Sequence, residues 1–244
     1  MTTAPAADQL RLLDVQALDT RLDQLAHKRG TLPSLARLAE LETQVADLHT
    51  ALVTSRTTAA DLRRELAKAE GDVEQVRSRA ARDQARLDSG QGSPKDLQAL
   101  TSELQALARR QAELEEVELD VMERLEAHES ALGEVTAAHQ ALLDQRTVVE
   151  AERDAAVAEI DAEVARVRAE RESAVTGLDG GLVTLYERLR GQLGGLGAAA
   201  LRGNRCEGCR LELNPLDLDA IRGASADQVV RCEECGRILV RVDG

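Results

Sequence analysis

The 244-residue chain has no Phe, no Trp and a single Tyr, Tyr186. A globular enzyme of this length would normally fill its core with aromatic rings. A coiled coil needs only Leu, Val and Ala along its seam, so the deficit points toward helices packed as a coiled coil. No apolar run of 18 residues occurs, which excludes a membrane-spanning helix. The start of the chain does not read as a signal peptide. Cysteine is absent from the first 205 residues. Together these features predict a reducing, cytoplasmic setting without disulfides and give no reason to expect a membrane partner.

The four cysteines that are present form two matched pairs, Cys206-Glu-Gly-Cys209 and Cys232-Glu-Glu-Cys235, with 22 residues between them. Two C-x-x-C knuckles at this spacing predict one tetrahedral zinc site with Cys206, Cys209, Cys232 and Cys235 as ligands. Gly236, just after the last ligand, suits the positive-φ backbone of such a turn. Four thiolates fill the coordination sphere, so the zinc is expected to be structural rather than catalytic. The tail from about residue 198 has few apolar residues, and metal is expected to supply much of its folding energy.

Residues 38–87 carry an unbroken 3-4 alternation: Leu38, Leu41, Val45, Leu48, Leu52, Ser55, Ala59, Leu62, Leu66, Ala69, Val73, Val76, Ala80, Asp83 and Leu87. A 3.5-residue repeat holds one stripe against a partner helix. A second run extends from Leu97 to Ile160, with polar seam positions at Gln111, Glu118, His128, His139, Arg146 and Arg153. Between the runs lies Ser89-Gly90-Gln91-Gly92-Ser93-Pro94. Two glycines stop the first helix, and Ser93, Pro94 and Asp96 form the capping signature of the second. So short a connection predicts an antiparallel hairpin. The 34–88 helix alone would be about 80 Å long. Shorter heptads at Val15, Leu18, Leu22 and Leu25 precede a break at Gly30-Thr31-Leu32-Pro33. A short helix from Leu182 to about Gln192 and a flexible glycine-rich linker, Gly191 to Gly197, lead into the tail. The predicted fold is mainly α: a kinked antiparallel coiled-coil hairpin over residues 1–176 with its tip at 89–94, a short helix and Gly-rich linker over 177–197, and a small β zinc ribbon over 198–244.

The net charge is −13, unevenly distributed. Residues 77–110 hold seven basic and four acidic side chains, while 111–170 hold five basic and 17 acidic. A basic tip on an acidic protein suits an acidic partner or a phosphate backbone. The candidate partner contacts are Arg77, Arg79, Arg82, Arg86 and Lys95 at the tip, with Arg205 and Arg237 in the ribbon. No P-loop, dinucleotide turn or nucleophile–histidine arrangement appears in context. The four histidines, His27, His49, His128 and His139, all lie on heptad helices. The chain therefore reads as a non-enzyme with no small-molecule substrate.

Several stretches carry a resemblance: Leu13-Asp14-Val15-Gln16-Ala17-Leu18-Asp19, Thr31-Leu32-Pro33, Lys95-Asp96-Leu97-Gln98-Ala99-Leu100, Val121-Met122-Glu123-Arg124-Leu125-Glu126, Tyr186-Glu187-Arg188-Leu189-Arg190 and both knuckles, ending Cys235-Gly236-Arg237-Ile238-Leu239. Over nearly its whole length the chain resembles bacterial proteins that join a coiled-coil hairpin to a C-terminal four-cysteine zinc ribbon, in wording closest to their actinobacterial branch. Arginine outnumbers lysine 28 to 3, which fits a high-GC genome. The resemblance implies a regulator or adaptor that binds a protein partner. Relatives in other branches include the Helicobacter flagellar regulator and sigma-54 chaperone, with flagellin messenger RNA among the family's ligands; that partner is not carried over to this branch. The alternative reading is a nucleic-acid binder, RNA or DNA, that uses the ribbon.

Overall fold

The computed structural model describes residues 2–242, so residues 1 and 243–244, at the ends of the expected domains, lie outside the described residues. The elements are α1 (Ala6–Gly30), α2 (Pro33–Asp88), α3 (Pro94–Val175), α4 (Gly180–Gln192), β1 (Ala198–Arg202), β2 (Arg205–Cys206), α5 (Pro215–Gly223), β3 (Val230–Arg231) and β4 (Ile238–Arg241). This is the mainly α hairpin with a small C-terminal β region that the heptads and knuckles predict. The chain divides into two compact units, Ala36–Glu150 and the stretches up to Leu35 and from Ala151 onward.

In the unit 36–150, α2 and α3 pair antiparallel. Arg79 bonds to Glu103, Arg77 to Glu115 and Arg63 to Glu129, so partners descend along α3 as they ascend along α2. All 15 predicted seam positions of α2 are buried or half-buried. Leu38 and Leu41 close on Val149 and Leu142. Burying one such Leu or Val contributes about 1.5–3 kcal/mol, which is what holds two long helices of modest intrinsic stability together. The polar seam residues of α3 are half-buried. His128 Nε2 lies 3.0 Å from Ser55 Oγ and 2.9 Å from its carbonyl oxygen. The ring centroids of His49 and His139 lie 5.9 Å apart, with the planes tilted by 42°. The His128 contacts pair polar atoms that the seam would otherwise bury alone, whereas Asp83 Oδ2 and Arg146 Nε, also on the seam, are buried without a hydrogen bond.

The helices stop where the glycines predict. Gly90 has φ +65° and Gly92 φ +138°, a backbone that other residues rarely adopt. The Ser93 amide donates to Asp96 Oδ2 at 2.9 Å, and the Asp96 amide donates back to Ser93 Oγ at 3.3 Å. This reciprocal box satisfies orphan donors at the start of α3, and the Ser93 hydroxyl, donating to Asp96 Oδ2 at 2.7 Å, and then the Ser93 amide lower the Asp96 pKa.

The other unit holds the ribbon. Its sheet runs β2-β1-β4-β3, with β1 parallel to β4 and the outer pairs antiparallel. The ribbon shares its core with helices: Leu12 and Val15 of α1, Leu182, Tyr186 and Leu189 of α4, and Ala198, Ile238 and Val240 of the sheet form one cluster. The N-terminal residues join it too. The Val229 amide donates to the Thr2 carbonyl at 3.0 Å, and the Ala4 amide to the Asp227 carbonyl at 2.8 Å.

The glycine-rich run expected to be a flexible linker is bound instead. The Leu193 and Gly195 amides donate back to carbonyls of α4 at 2.9 Å each. A Cβ on Gly197 would lie 2.8 Å from the Tyr186 carbonyl oxygen, so glycine is required for the chain to pass this close. Helix α5, between the knuckles, was not anticipated. Its signal is in the sequence: Asn214 caps it by accepting from the Leu216 amide at 3.0 Å, and Pro215 takes the first position.

Candidate metal centre and the placement of the arginines

The four Cys Sγ atoms lie within 4.8 Å of one another, and they are the only such cluster of potential ligands among the described residues. Across the knuckles, Cys206 faces Cys235 and Cys209 faces Cys232, each pair at 4.0 Å. Four thiolates about 2.3 Å from one tetrahedral ion sit about 3.8 Å apart, so the donors are close to the spacing zinc requires. Cys206 and Cys232 are buried; Cys209 and Cys235 are partly exposed. Burial raises the Cys206 thiol pKa and pushes that of Cys232 up to about 12. Burial opposes ionisation of Cys235 too, but bonds from the amide and side chain of Arg237, with those from Cys232 and Cys209, together bring Cys235 down to about 7. A bound zinc supplies the charge that holds all four as thiolates, and its binding releases protons.

Each knuckle is built the same way. The Arg210 amide donates to the Cys206 carbonyl at 2.7 Å and the Gly236 amide to the Cys232 carbonyl at 2.8 Å. Both residues are left-handed, Gly236 at φ +73° as its position predicts and Arg210 at φ +63°. The residue before each knuckle is an arginine that clasps this turn. Arg205 Nε donates to the Arg210 carbonyl at 2.9 Å, and Arg231 Nε donates to the Gly236 carbonyl at 2.7 Å. The repeat Arg-Cys-Glu-x-Cys was visible in the sequence, but its clasping role was not read from it. A second difference, besides Arg210 against Gly236, breaks the symmetry. A Cβ on Gly208 would lie 2.9 Å from both Ala199 Cβ and Arg237 Cδ, whereas the matching position is Glu234.

The ribbon candidates Arg205 and Arg237 are thus engaged within the fold. Arg237 Nε donates to the Leu196 carbonyl at 2.9 Å and Nη2 to that of Leu193 at 3.3 Å. Arg241 goes further and donates to the carbonyls of Ile221, Ala224, Ser225, Ala226 and Gln228.

The tip candidates divide. Arg77 pairs with Glu115 at 2.6 Å, which raises the arginine pKa. Arg79 pairs with Glu103 and lies 3.8 Å from Asp83. Arg82 donates only to the neutral Ser78 Oγ, at 3.2 Å. The side chains of Arg86 and Lys95 form no hydrogen bond or ion pair among the described residues, although Arg86 is close enough to act electrostatically on Asp96.

A second set of residues escaped sequence reading: a polar lock around α1. Asp19, 2% exposed, receives Arg171 Nε at 2.6 Å, Arg171 Nη2 at 3.1 Å and the Tyr186 hydroxyl at 2.7 Å. The Asp19 bond raises the Arg171 pKa; burial and then the same carboxylate raise that of Tyr186. Gln16, 5% exposed, accepts from the Gly197 amide at 2.7 Å and donates to the Gly195 carbonyl at 3.0 Å. Tyr186, the one aromatic side chain, is fully buried and offers no ring to a ligand.

Comparison with known proteins agrees with this arrangement. The pattern of the CT398-like coiled coil hairpin domain matches residues 15–194, and that of the C4-type zinc ribbon domain matches 205–239. A Mycobacterium tuberculosis protein described only as uncharacterized is 36% identical over 99% of this chain and 98% of its own length. A solved structure from Mycobacterium smegmatis is 35% identical, covers 98% of this chain and 100% of that one, and superposes with a TM-score of 0.87. CT398 from Chlamydia trachomatis shares the fold at a TM-score of 0.71 and 19% identity, with 97% and 98% of the two chains covered.

Proposed function

This chain belongs to the family of CT398-like coiled-coil hairpin proteins with a C-terminal C4-type zinc ribbon, and from that premise we propose that it is a non-enzymatic adaptor of the reducing cytoplasm that binds a protein partner. The carrying observation is how the arginines beside the metal are used. Arg205, Arg231, Arg237 and Arg241 donate to backbone carbonyls of their own unit. A reader of single-stranded RNA or DNA needs free cations and exposed rings on which bases stack. Here four of the seven ribbon arginines are so engaged, leaving Arg202, Arg210 and Arg222 exposed, and the one tyrosine ring is buried. The metal site supports no catalytic role, because four thiolates leave no position for an activated water. Zinc in this reading fixes the ribbon against α1 and α4.

The test is retention of the zinc-loaded protein on immobilised RNA and DNA across a salt series, alongside chemical cross-linking in native cytoplasm. The adaptor reading predicts weak retention with a shallow salt slope and discrete cross-linked protein adducts. Tight retention that falls steeply with salt, the signature of counterion release, would favour the nucleic-acid reading.

A further inference from the structure

The tip of the 36–150 unit carries an imbalance that net charge alone does not reveal. Between residues 82 and 96 there are three carboxylates and three cations. The carboxylates are all engaged locally. Asp83 pairs with Arg79 at 3.8 Å, without a hydrogen bond to its buried Oδ2. Asp88 receives Gln84 Nε2 at 2.7 Å. Asp96 closes the capping box with Ser93. The cations Arg82, Arg86 and Lys95 face no carboxylate within ion-pair distance among the described residues. Arg82 and Arg86 are one helical turn apart on the same face of α2, and Lys95 opens α3, next to the Asp96 on which Arg86 acts. The carboxylates are thus tied to groups of the turn itself, while the cations at this glycine-flanked turn are free to bond outward.

We propose that the Arg82–Arg86–Lys95 surface at the tip docks an acidic segment of a protein partner, an inference that rests on the adaptor reading above. The sign of the occupant follows from charge complementarity. Its class follows from the neighbourhood. Residues 111–150 of the same unit hold 11 acidic and two basic side chains, a field that repels a long polyanion running past the tip. No exposed aromatic side chain is present to stack bases. A short acidic segment, needing only a few charge-assisted bonds, meets neither obstacle.

The test uses full-length, zinc-loaded protein and a fluorescent poly-glutamate peptide as probe, read by anisotropy at low salt. A single-stranded RNA oligomer serves as the competing ligand. The tip variant is R82E/R86E/K95E. The control is R56E/K68E, which reverses two exposed cations elsewhere on the same unit. The three tip side chains make no bond that the fold depends on, so the tip variant should keep its helical circular dichroism. The expected result is a loss of peptide affinity on the order of tenfold for the tip variant, with little change for the control. Equal loss in both variants, or none in the tip variant, overturns the proposal. So does an RNA oligomer that binds more tightly than the peptide and is lost with the tip reversal, which would make the surface a phosphate site. Cross-linking separates this from the adaptor reading: if the tip variant captures the same adducts as wild type, the tip assignment fails and the adaptor stands, whereas a wild-type protein that captures none defeats the adaptor reading itself.

Discussion

In the ribbon-bearing unit Arg237 and Arg241 donate to seven backbone carbonyls between them, while at the tip of the hairpin unit Arg82, Arg86 and Lys95 face no carboxylate. The same residue type serves different ends because the backbone differs. A helix satisfies its own carbonyls except at its ends, so arginines on α2 and α3 are left for the surface. The ribbon has strands of only two to five residues and long irregular connections. Its carbonyls must find donors elsewhere, and a guanidinium brings five N–H groups in a rigid fork. Arginine-rich ribbons are easily read as nucleic-acid surfaces, but here four of the seven arginines, Arg205, Arg231, Arg237 and Arg241, substitute for missing secondary structure.

The comparison can be broken most severely by removing the metal. Cys206→Ser or Cys232→Ser should abolish stoichiometric zinc and raise hydrogen exchange across 198–242 and in residues 2–4, which bond to the ribbon, while amides of 36–150 stay protected. Lowering pH acts in the same direction on the native protein, because zinc competes with protons for the thiols and burial makes Cys232 the most reluctant to ionise. Zinc content measured against pH should fall as pH falls.

The next largest effect is at Asp19. Asp19→Ala leaves the Tyr186 hydroxyl without its buried acceptor and the Arg171 guanidinium with only Glu187, at a cost of about 1–3 kcal/mol. Chemical denaturation should show the loss, and a seam substitution such as Ala69→Ser should not loosen the ribbon. A smaller pair sharpens the knuckle symmetry. Gly236→Ala should destabilise by about 1–2 kcal/mol, because an L-residue is strained at that φ, and Arg210→Gly should relieve strain of the same sign at its counterpart. The pair is read by competition for zinc with a chelator. The smallest effect is at the cap: Ser93→Ala costs about 1 kcal/mol and should speed exchange only in the first turns of α3.

What the sequence made legible was local. Heptads place the seam because each position depends on neighbours three and four residues away, and the knuckle spacing places all four sulfurs. The tip glycines and Ser93 mark the turn for the same reason. The polar lock was invisible because Asp19 meets Arg171 across 152 residues and Gln16 meets Gly197 across 181. In α1 alone these residues look like an ordinary solvated face. The glycine run 191–197 misled for a related reason: its composition suits a mobile linker, and only the close passage over Tyr186 shows why glycine is needed there. The role of Arg205 and Arg231 lies between these cases, since the repeat is visible in the sequence and the clasped carbonyl is not.

Arginine's division of labour between the two units is tested most directly by hydrogen exchange on two single variants of the zinc-loaded protein, Arg241→Ala and Arg86→Ala. Arg241→Ala strips donors from the carbonyls that follow α5, each unsatisfied group costing about 1–3 kcal/mol when buried. Amides of residues 221–242 should exchange markedly faster. Arg86→Ala removes a side chain that bonds to nothing in the fold, so amides of 77–100 should exchange as in wild type. Equal protection in both variants, or a tip that opens while the ribbon stays closed, would contradict the account.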